Sequence, residues 1–181
     1  MKIVSFNIKN FKSVGPDGID FDFSENFIAL IGENNVGKSS IMLALDYFFS
    51  GTKTIPTKYF HNLKTNQQNA ILVEVKFNKL SNRDKSHQAI QSYIYTDPNT
   101  NEETWTLRKI YYYGEDGKAA CDYVAIVNGE EKPNPAGRQT NVDDLFTDEK
   151  MQKIFVPAVQ EIAEIVDGKK KTPFQQIFQL L

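Results

Sequence analysis

Gly32-Glu33-Asn34-Asn35-Val36-Gly37-Lys38-Ser39-Ser40 decides how the rest of the chain is read. Two glycines are separated by four residues and followed by Lys and Ser, the pattern of a loop that wraps phosphate groups. At ordinary residue abundances this pattern arises by chance in a chain of this length less than about once in a hundred. Its flanks agree with it. Phe27-Ile28-Ala29-Leu30-Ile31 is an apolar run of strand length, and Ile41 to Phe49 reads as a helix. Strand, loop and helix in that order suit a nucleoside triphosphate site.

The spacing has a physical reason. Backbone N–H groups at a helix N-terminus, with its partial positive charge, surround phosphate oxygens. Gly32 lets the chain leave the strand through a tight turn, and Gly37 lets the backbone approach the phosphates. Glu33, Asn34, Asn35 and Val36 supply the backbone between them. Lys38 is placed for the β- and γ-phosphates, and the Ser39 hydroxyl for Mg²⁺ held with the nucleotide. The Ser40 N–H faces the α-phosphate. Asn35 stands where related loops have glycine, and asparagine is among the residues that best tolerate positive φ. The implied cofactors are ATP and Mg.

Composition bounds the class. The 181 residues are 40% hydrophobic with a formal net charge of −2 and one cysteine. That suffices for one domain with a core. No run approaches the length of a membrane span, so no membrane association is expected. Met1-Lys2-Ile3 leads straight into a strand pattern without a signal peptide, and the lone Cys121 suits a reducing cytosol, so a cytoplasmic location is expected. His61 and His87 have no Cys or carboxylate at ligand spacing, which argues against a metal site of their own.

Along the chain, residues 1–51 are expected to hold strands at 2–8, at 19–23 (Ile19, Phe21 and Phe23 alternating with Asp20 and Asp22) and at 27–31, then the loop and a helix. In that helix Ile41, Leu45 and Phe48 share a face that Met42, Leu43 and Phe49 widen, so a helix buried nearly all round is expected, with Gly51 as C-cap. Residues 52–68 read as an excursion of loops with one short helix. Residues 69–135 carry strands at 71–77, 91–95, 104–113 and 123–127. Gly114 to Gly117 and Asn128-Gly129 are hairpin signals. Their spacing predicts an antiparallel meander rather than βαβ units. Trp105 and Tyr111 to Tyr113 suit either a base-stacking platform or, more commonly, aromatic packing on a core. Residues 141–181 are expected to hold a helix at 141–150, a short strand at 153–156 and a helix beginning at Thr172-Pro173. Lys169-Lys170-Lys171 reads as solvated loop, with nucleic-acid contact as the alternative.

A hydrolytic site of this type also needs a carboxylate at the end of an apolar strand to help hold Mg²⁺. Tyr123 to Val127 runs into Asn128, Glu164 interrupts Ile162 to Asp167, and Asp46 lies in the helix after the loop. No Ser-Gly-Gly signature is present. These parts are therefore expected either beyond Leu181, with the chain a fragment, or on another chain; no catalytic residue is assigned, and hydrolysis by this chain alone is not expected.

Three stretches resemble the N-terminal part of an ABC-type ATPase of the OLD (overcoming lysogenization defect) family, kin to RecF and SMC heads. They are Ile8-Lys9-Asn10-Phe11-Lys12-Ser13, Ile31 to Ser40 with Ala44-Leu45, and Val156-Pro157-Ala158-Val159 before the Thr-Pro-Phe helix start. Asn34-Asn35-Val36 tilts the resemblance toward OLD, because RecF and SMC loops usually have Gly at the place of Asn35. The resemblance implies an α/β, ABC-type P-loop head with an antiparallel meander, of which residues 1–181 are the N-terminal part. It implies a homodimer or higher oligomer around two ATP molecules. Lys12 corresponds to a basic position near the phosphates and Gln160 to a lobe-joining glutamine. In a parent protein it implies a DNA-cutting Toprim nuclease acting in phage defence, with DNA and a partner protein or an RNA/DNA component. A RecF/SMC-like repair head and a non-hydrolysing nucleotide-gated module are the alternatives.

Overall fold

Ile71, Val73, Val75 and Phe77 alternate with Leu72, Glu74, Lys76 and Asn78, and this period of two builds the strand at the centre of the sheet. The structure is a computed structural model that describes residues 1–23, 30–31, 33, 37–133 and 142–147. In chain order the elements are β1 (Lys2–Lys9), β2 (Ile19–Asp22), α1 (Lys38–Phe49), β3 (Ile71–Asn78), α2 (Asn82–Ser86), α3 (Gln88–Gln91), β4 (Tyr95–Thr96), β5 (Glu103–Tyr113), β6 (Ala119–Val127), β7 (Glu130–Pro133) and α4 (Asp144–Thr147). Three single 3-10 turns, Thr57–Tyr59, His61–Leu63 and Gln67–Asn69, connect α1 to β3.

The sheet runs β2-β1-β3-β5-β6-β7, with β4 pairing to β5 at its start. Every pairing is antiparallel. Register places Ile8 opposite Val73, Phe6 opposite Val75 and Leu107 opposite Val75 from the other side. These side chains share one face with Phe77, Trp105 and Tyr111, all buried. Burying each large apolar side chain contributes roughly 1.5–3 kcal/mol. Helix α1 covers this face with Ala44 and Phe48, and the Phe48 ring lies 6.4 Å from that of Phe77. Asn128 and Gly129 adopt φ of 51° and 77°, the two positive values that a tight two-residue hairpin needs. The outer strands β2 and β7 carry Asp20 and Asp22, and Glu130 and Glu131.

The expected meander is present, with four corrections. Residues 91–95 do not form a strand: α3 ends at Gln91 and only Tyr95–Thr96 pairs with β5. His87 caps α3, its ring nitrogen accepting from the Ala89 N–H at 3.2 Å, and the short helix so started takes Gln91 against the β-propensity of the aromatics that follow. Of the expected strand at 27–31, Leu30 and Ile31 are described and neither is in a strand; Ile31 is 92% exposed. Residues 27–29 of that run lie outside the described residues. Helix α1 is not buried all round: only Ser40, Ala44 and Phe48 are, and Met42 is 45% exposed. Ile19, expected to face inward, is 38% exposed because β2 lies at the sheet's edge. The expected elements at 153–156 and from Thr172 lie outside the described residues, and of 141–150 only Asp144–Thr147 is described as helix.

Candidate functional site

The first turn of α1 begins directly after Gly37, which adopts φ 100° and ψ 5°. An ideal Cβ on Gly37 would lie 2.7 Å from Ser13 Oγ, so both the left-handed backbone and the close approach require glycine. The Gly37 carbonyl accepts from the N–H groups of Ser40 (2.9 Å) and Ile41 (3.2 Å). The N–H groups of Lys38 and Ser39 precede any possible intrahelical acceptor. No side chain caps this end, and its first turn holds no acidic residue. The Lys38 ammonium folds back and donates to the Glu33 carbonyl at 2.5 Å, so its charge lies across the loop. Ser39 is exposed. Backbone N–H groups, an ammonium and a hydroxyl at a positive helix terminus match the oxygens of a phosphate group. The Gly37→Ala variant is expected to lose about 1–3 kcal/mol from backbone strain. Adding Ser13→Ala should recover only the part due to collision. Urea unfolding of the pair separates the two, and full recovery would show that φ carries no strain.

A second turn packs on this loop. Lys12 adopts φ 53°, donates its N–H to the Tyr59 carbonyl at 2.7 Å, and its own carbonyl accepts from His61 Nδ1 at 2.9 Å. Phe11 bridges Phe60, and the His61 N–H donates to the Asn10 carbonyl at 2.9 Å. The ammonium groups of Lys12 and Lys58 each stand 5.3 Å from the centre of the Tyr59 ring. Two cations therefore share one aromatic ring, and one of them, Lys12, directly precedes Ser13, the residue that stands against Gly37. No Asp or Glu occurs between Asp46 and Glu74, while Lys53, Lys58 and Lys64 do, so this connection is electropositive.

The other end of α1 is held by a buried cluster. Gly51, at φ 68°, lets the chain turn so that an added Cβ would stand 3.4 Å from Asp143 Cβ. Asp143 Oδ1 accepts from Lys109 Nζ at 2.5 Å, and its Oδ2 accepts from the Tyr123 hydroxyl at 2.6 Å. The Lys109 side chain is fully buried, with its ammonium 4.8–5.7 Å from the ring centres of Tyr123, Phe48 and Phe146. Burial lowers the Lys109 pKa, and Asp143 opposes that effect. Burial also pushes the nearby Cys121 thiol up to about 12. Phe146 packs on Phe48, Phe49, Phe77 and Trp105, fastening α4 to α1 and the sheet.

Of the residues expected to bind nucleotide, Glu33, Gly37, Lys38, Ser39 and Ser40 stand together at the start of α1, and Lys12 joins them through Ser13. Gly32, Asn34, Asn35, Val36 and Gln160 lie outside the described residues, as do Lys169 to Lys171. Trp105 and Tyr111 are buried in the core, whereas Tyr112 and Tyr113 are only half-buried. The role of Lys58 and Tyr59 beside the loop was not read from the sequence; the acid-free run around them was its signal. Among the described residues no group of three or more His, Cys, Asp or Glu could hold a metal ion, and no helix is long and apolar enough to cross a membrane.

No match was found among curated proteins. Among solved structures, an SMC ATPase studied for ATP-driven dimerization and DNA-stimulated activation is similar over 99% of this chain and 98% of its own, at 19% identity and a TM-score of 0.55. An SMC head bound to the C-terminal winged-helix domain of ScpA is similar over 76% of this chain and 42% of its own, at 20% identity and a TM-score of 0.45. The first likeness establishes the fold, an α/β ATPase head of SMC type built on an antiparallel sheet. The pattern of the AAA ATPase domain matches residues 1–178, and the chain belongs to that family.

Proposed function

We propose that this chain binds Mg·ATP as one half of an ABC-type head and closes on a second head when the nucleotide is bound. One observation carries the reading: the uncapped, acid-free first turn of α1, with Lys38 and Ser39 on it and Gly37 pressed against Ser13. Lys38 neutralises the β- and γ-phosphates, Ser39 takes a place beside Mg²⁺, and Gly32 to Val36 supply backbone donors. Lys12, and Lys58 beside it, add positive charge toward the same phosphates. When bound, the nucleotide and its metal supply the charge that joins two heads; Gln160 belongs to that joint. The AAA ATPase family and the SMC-like fold support this reading, as does the dimerization described for the similar SMC ATPase.

The narrower assignment is an OLD-like head regulating a DNA-cutting Toprim nuclease of a parent protein in phage defence, in the cytoplasm. It is supported by Asn34-Asn35-Val36 in the loop and by Ile8 to Ser13 before it. A Toprim domain in the parent would uphold it, and a coiled coil would point to a RecF/SMC-like repair head instead. Residues 1–181 are proposed as the N-terminal part of one ATPase domain, whose turnover depends on groups supplied from elsewhere.

Equilibrium titration with Mg·ATP tests the central claim. A charged hydrogen bond is worth about 1.5–3 kcal/mol, so Lys38→Ala is expected to bind roughly ten- to a hundredfold more weakly. Equal affinity for the two proteins would overturn the proposal. Turnover by the wild-type chain, abolished in Lys38→Ala, would remove the module alternative.

A further inference from the structure

His61 grips the turn at residues 10–15 at three points. Its backbone N–H donates to the Asn10 carbonyl at 2.9 Å, and its ring Nδ1 to the Lys12 carbonyl at 2.9 Å. The far edge of the ring lies against Gly15, where Nε2 and Cε1 stand 3.7 Å and 3.8 Å from the place a Cβ would take. Asn10 and Lys12, whose carbonyls His61 holds, are the two left-handed residues of this turn, at φ 57° and 53°. We propose that His61 is the positioning residue that keeps Lys12 in this backbone conformation and so sets where its ammonium stands beside the phosphate loop. The inference rests on the Mg·ATP reading of that loop and adds a residue to it.

Asparagine tolerates the left-handed region, whereas lysine is disfavoured there by a factor of roughly 5–30. Such a conformation persists only where its surroundings over-determine it. Here both polar backbone groups of Lys12 are held by the connection after α1, the N–H by the Tyr59 carbonyl at 2.7 Å and the carbonyl by His61. A carbonyl only accepts, so Nδ1 carries the proton at this bond, in the neutral ring as in the charged one. The clamp is itself anchored. Phe60, directly before His61, is buried, bridges Phe11 and packs its ring 5.8 Å from that of Tyr113. What the clamp fixes lies next to the loop: the Lys12 ammonium stands 5.3 Å from the centre of the Tyr59 ring, and Ser13 Oγ stands 2.7 Å from the place of a Cβ on Gly37. Released from Nδ1, Lys12 would spend part of its time in the right-handed region, where its side chain leaves the backbone in another direction. Apparent nucleotide affinity then falls with the fraction of molecules that still present the ammonium correctly. The backbone bonds from Lys12 to Tyr59 and from His61 to Asn10 survive every substitution of the His61 side chain, so such variants keep the turn while loosening it.

The test titrates the whole chain with Mg·ATP, with urea midpoints confirming that each variant is folded. His61→Ala is expected to bind about three- to tenfold more weakly. His61→Asn, whose amide nitrogen sits on Cγ as Nδ1 does, is expected to stay within about twofold of wild type. His61→Gln, whose amide lies one bond further out, should behave like His61→Ala. In a Lys12→Ala background, His61→Ala is expected to change affinity by less than about twofold, because a residue acting through Lys12 falls silent without that side chain. A merely structural histidine would give the same loss in both backgrounds, and that result would overturn the proposal. NMR of the nucleotide-free chain supplies a second readout. The Lys12 backbone resonances should report the left-handed conformation in wild type and His61→Asn, and its loss in His61→Ala and His61→Gln. Unchanged Lys12 resonances in His61→Ala would overturn the proposal whatever the nucleotide does. Affinity that depends on Lys38 but not on His61 would overturn this inference alone, whereas indifference to Lys38→Ala would overturn the ATP reading and leave the NMR comparison to decide the role of His61.

Discussion

Asp143→Ala is expected to destabilise the fold by about 3–5 kcal/mol, because it leaves the Lys109 ammonium buried without its counter-charge. Aromatic faces surround that ammonium on the remaining sides, and cation–π attraction to them recovers only part of the loss. The Tyr123 hydroxyl loses its acceptor at the same time. Against a total stability of roughly 5–15 kcal/mol, such a change removes a large share. The companion variant Lys109→Met/Asp143→Leu replaces the pair by apolar groups of similar size. It is expected to fall near wild type or above it, since removing both charges also removes their desolvation cost. Urea unfolding of the two variants checks the argument. A shift of Asp143→Ala within about 0.5 kcal/mol of wild type, the range of a surface substitution, would mean that Lys109 reaches water.

Alkaline pH is expected to weaken the fold steeply from about pH 9 upward. Burial raises the Cys121 thiol from its ordinary 9.0 to about 12. Burial likewise raises Tyr111 well above 10.0, and raises Tyr123, where the hydrogen bond to Asp143 adds to it. These groups keep their protons when folded and lose them when unfolded, so stability present below pH 9 is lost as pH rises through the folded values. Lys109 acts in the opposite sense, because its lowered pKa leaves the unfolded chain holding the extra proton. Three groups outweigh one. Each net proton changes stability by about 1.4 kcal/mol per pH unit. Urea midpoints measured from pH 8 to pH 11 should fall accordingly, and Cys121→Ala should flatten the curve near its onset. A midpoint that rises through that range would refute the assignment of these groups to the core.

Much of this was legible in the sequence. The period of two in Ile71 to Phe77 and the Asn128-Gly129 turn specify the meander, because side-chain alternation and positive φ are local properties. The start of α1 at Lys38 follows from Gly37 and the residues after it. The His87 cap of α3 was equally local, but Tyr93 to Tyr95 were read on propensity, which tertiary context overrides. Lys109 shows what local reading misses: within Thr106 to Ile110 it looks like a solvated strand residue, and only the arrival of Asp143 from a distant segment makes burial tolerable. Lys58 comes near Lys12 through the turn that brings both ammonium groups to the Tyr59 ring.

The acidic outer strands bear on how two such heads can meet. Asp20 and Asp22 on one border, and Glu130 and Glu131 on the other, would bring like charges together if either border extended into a second copy's sheet. Joining by continuous hydrogen-bonded strands is thus opposed at both borders. If two heads close as proposed, the electropositive side around Lys12, Lys38 and Lys58 is left for the contact, where two copies would repel until an anion is placed between them. In that proposed arrangement the nucleotide would be the mortar of the contact, and its departure would be enough to release the partner.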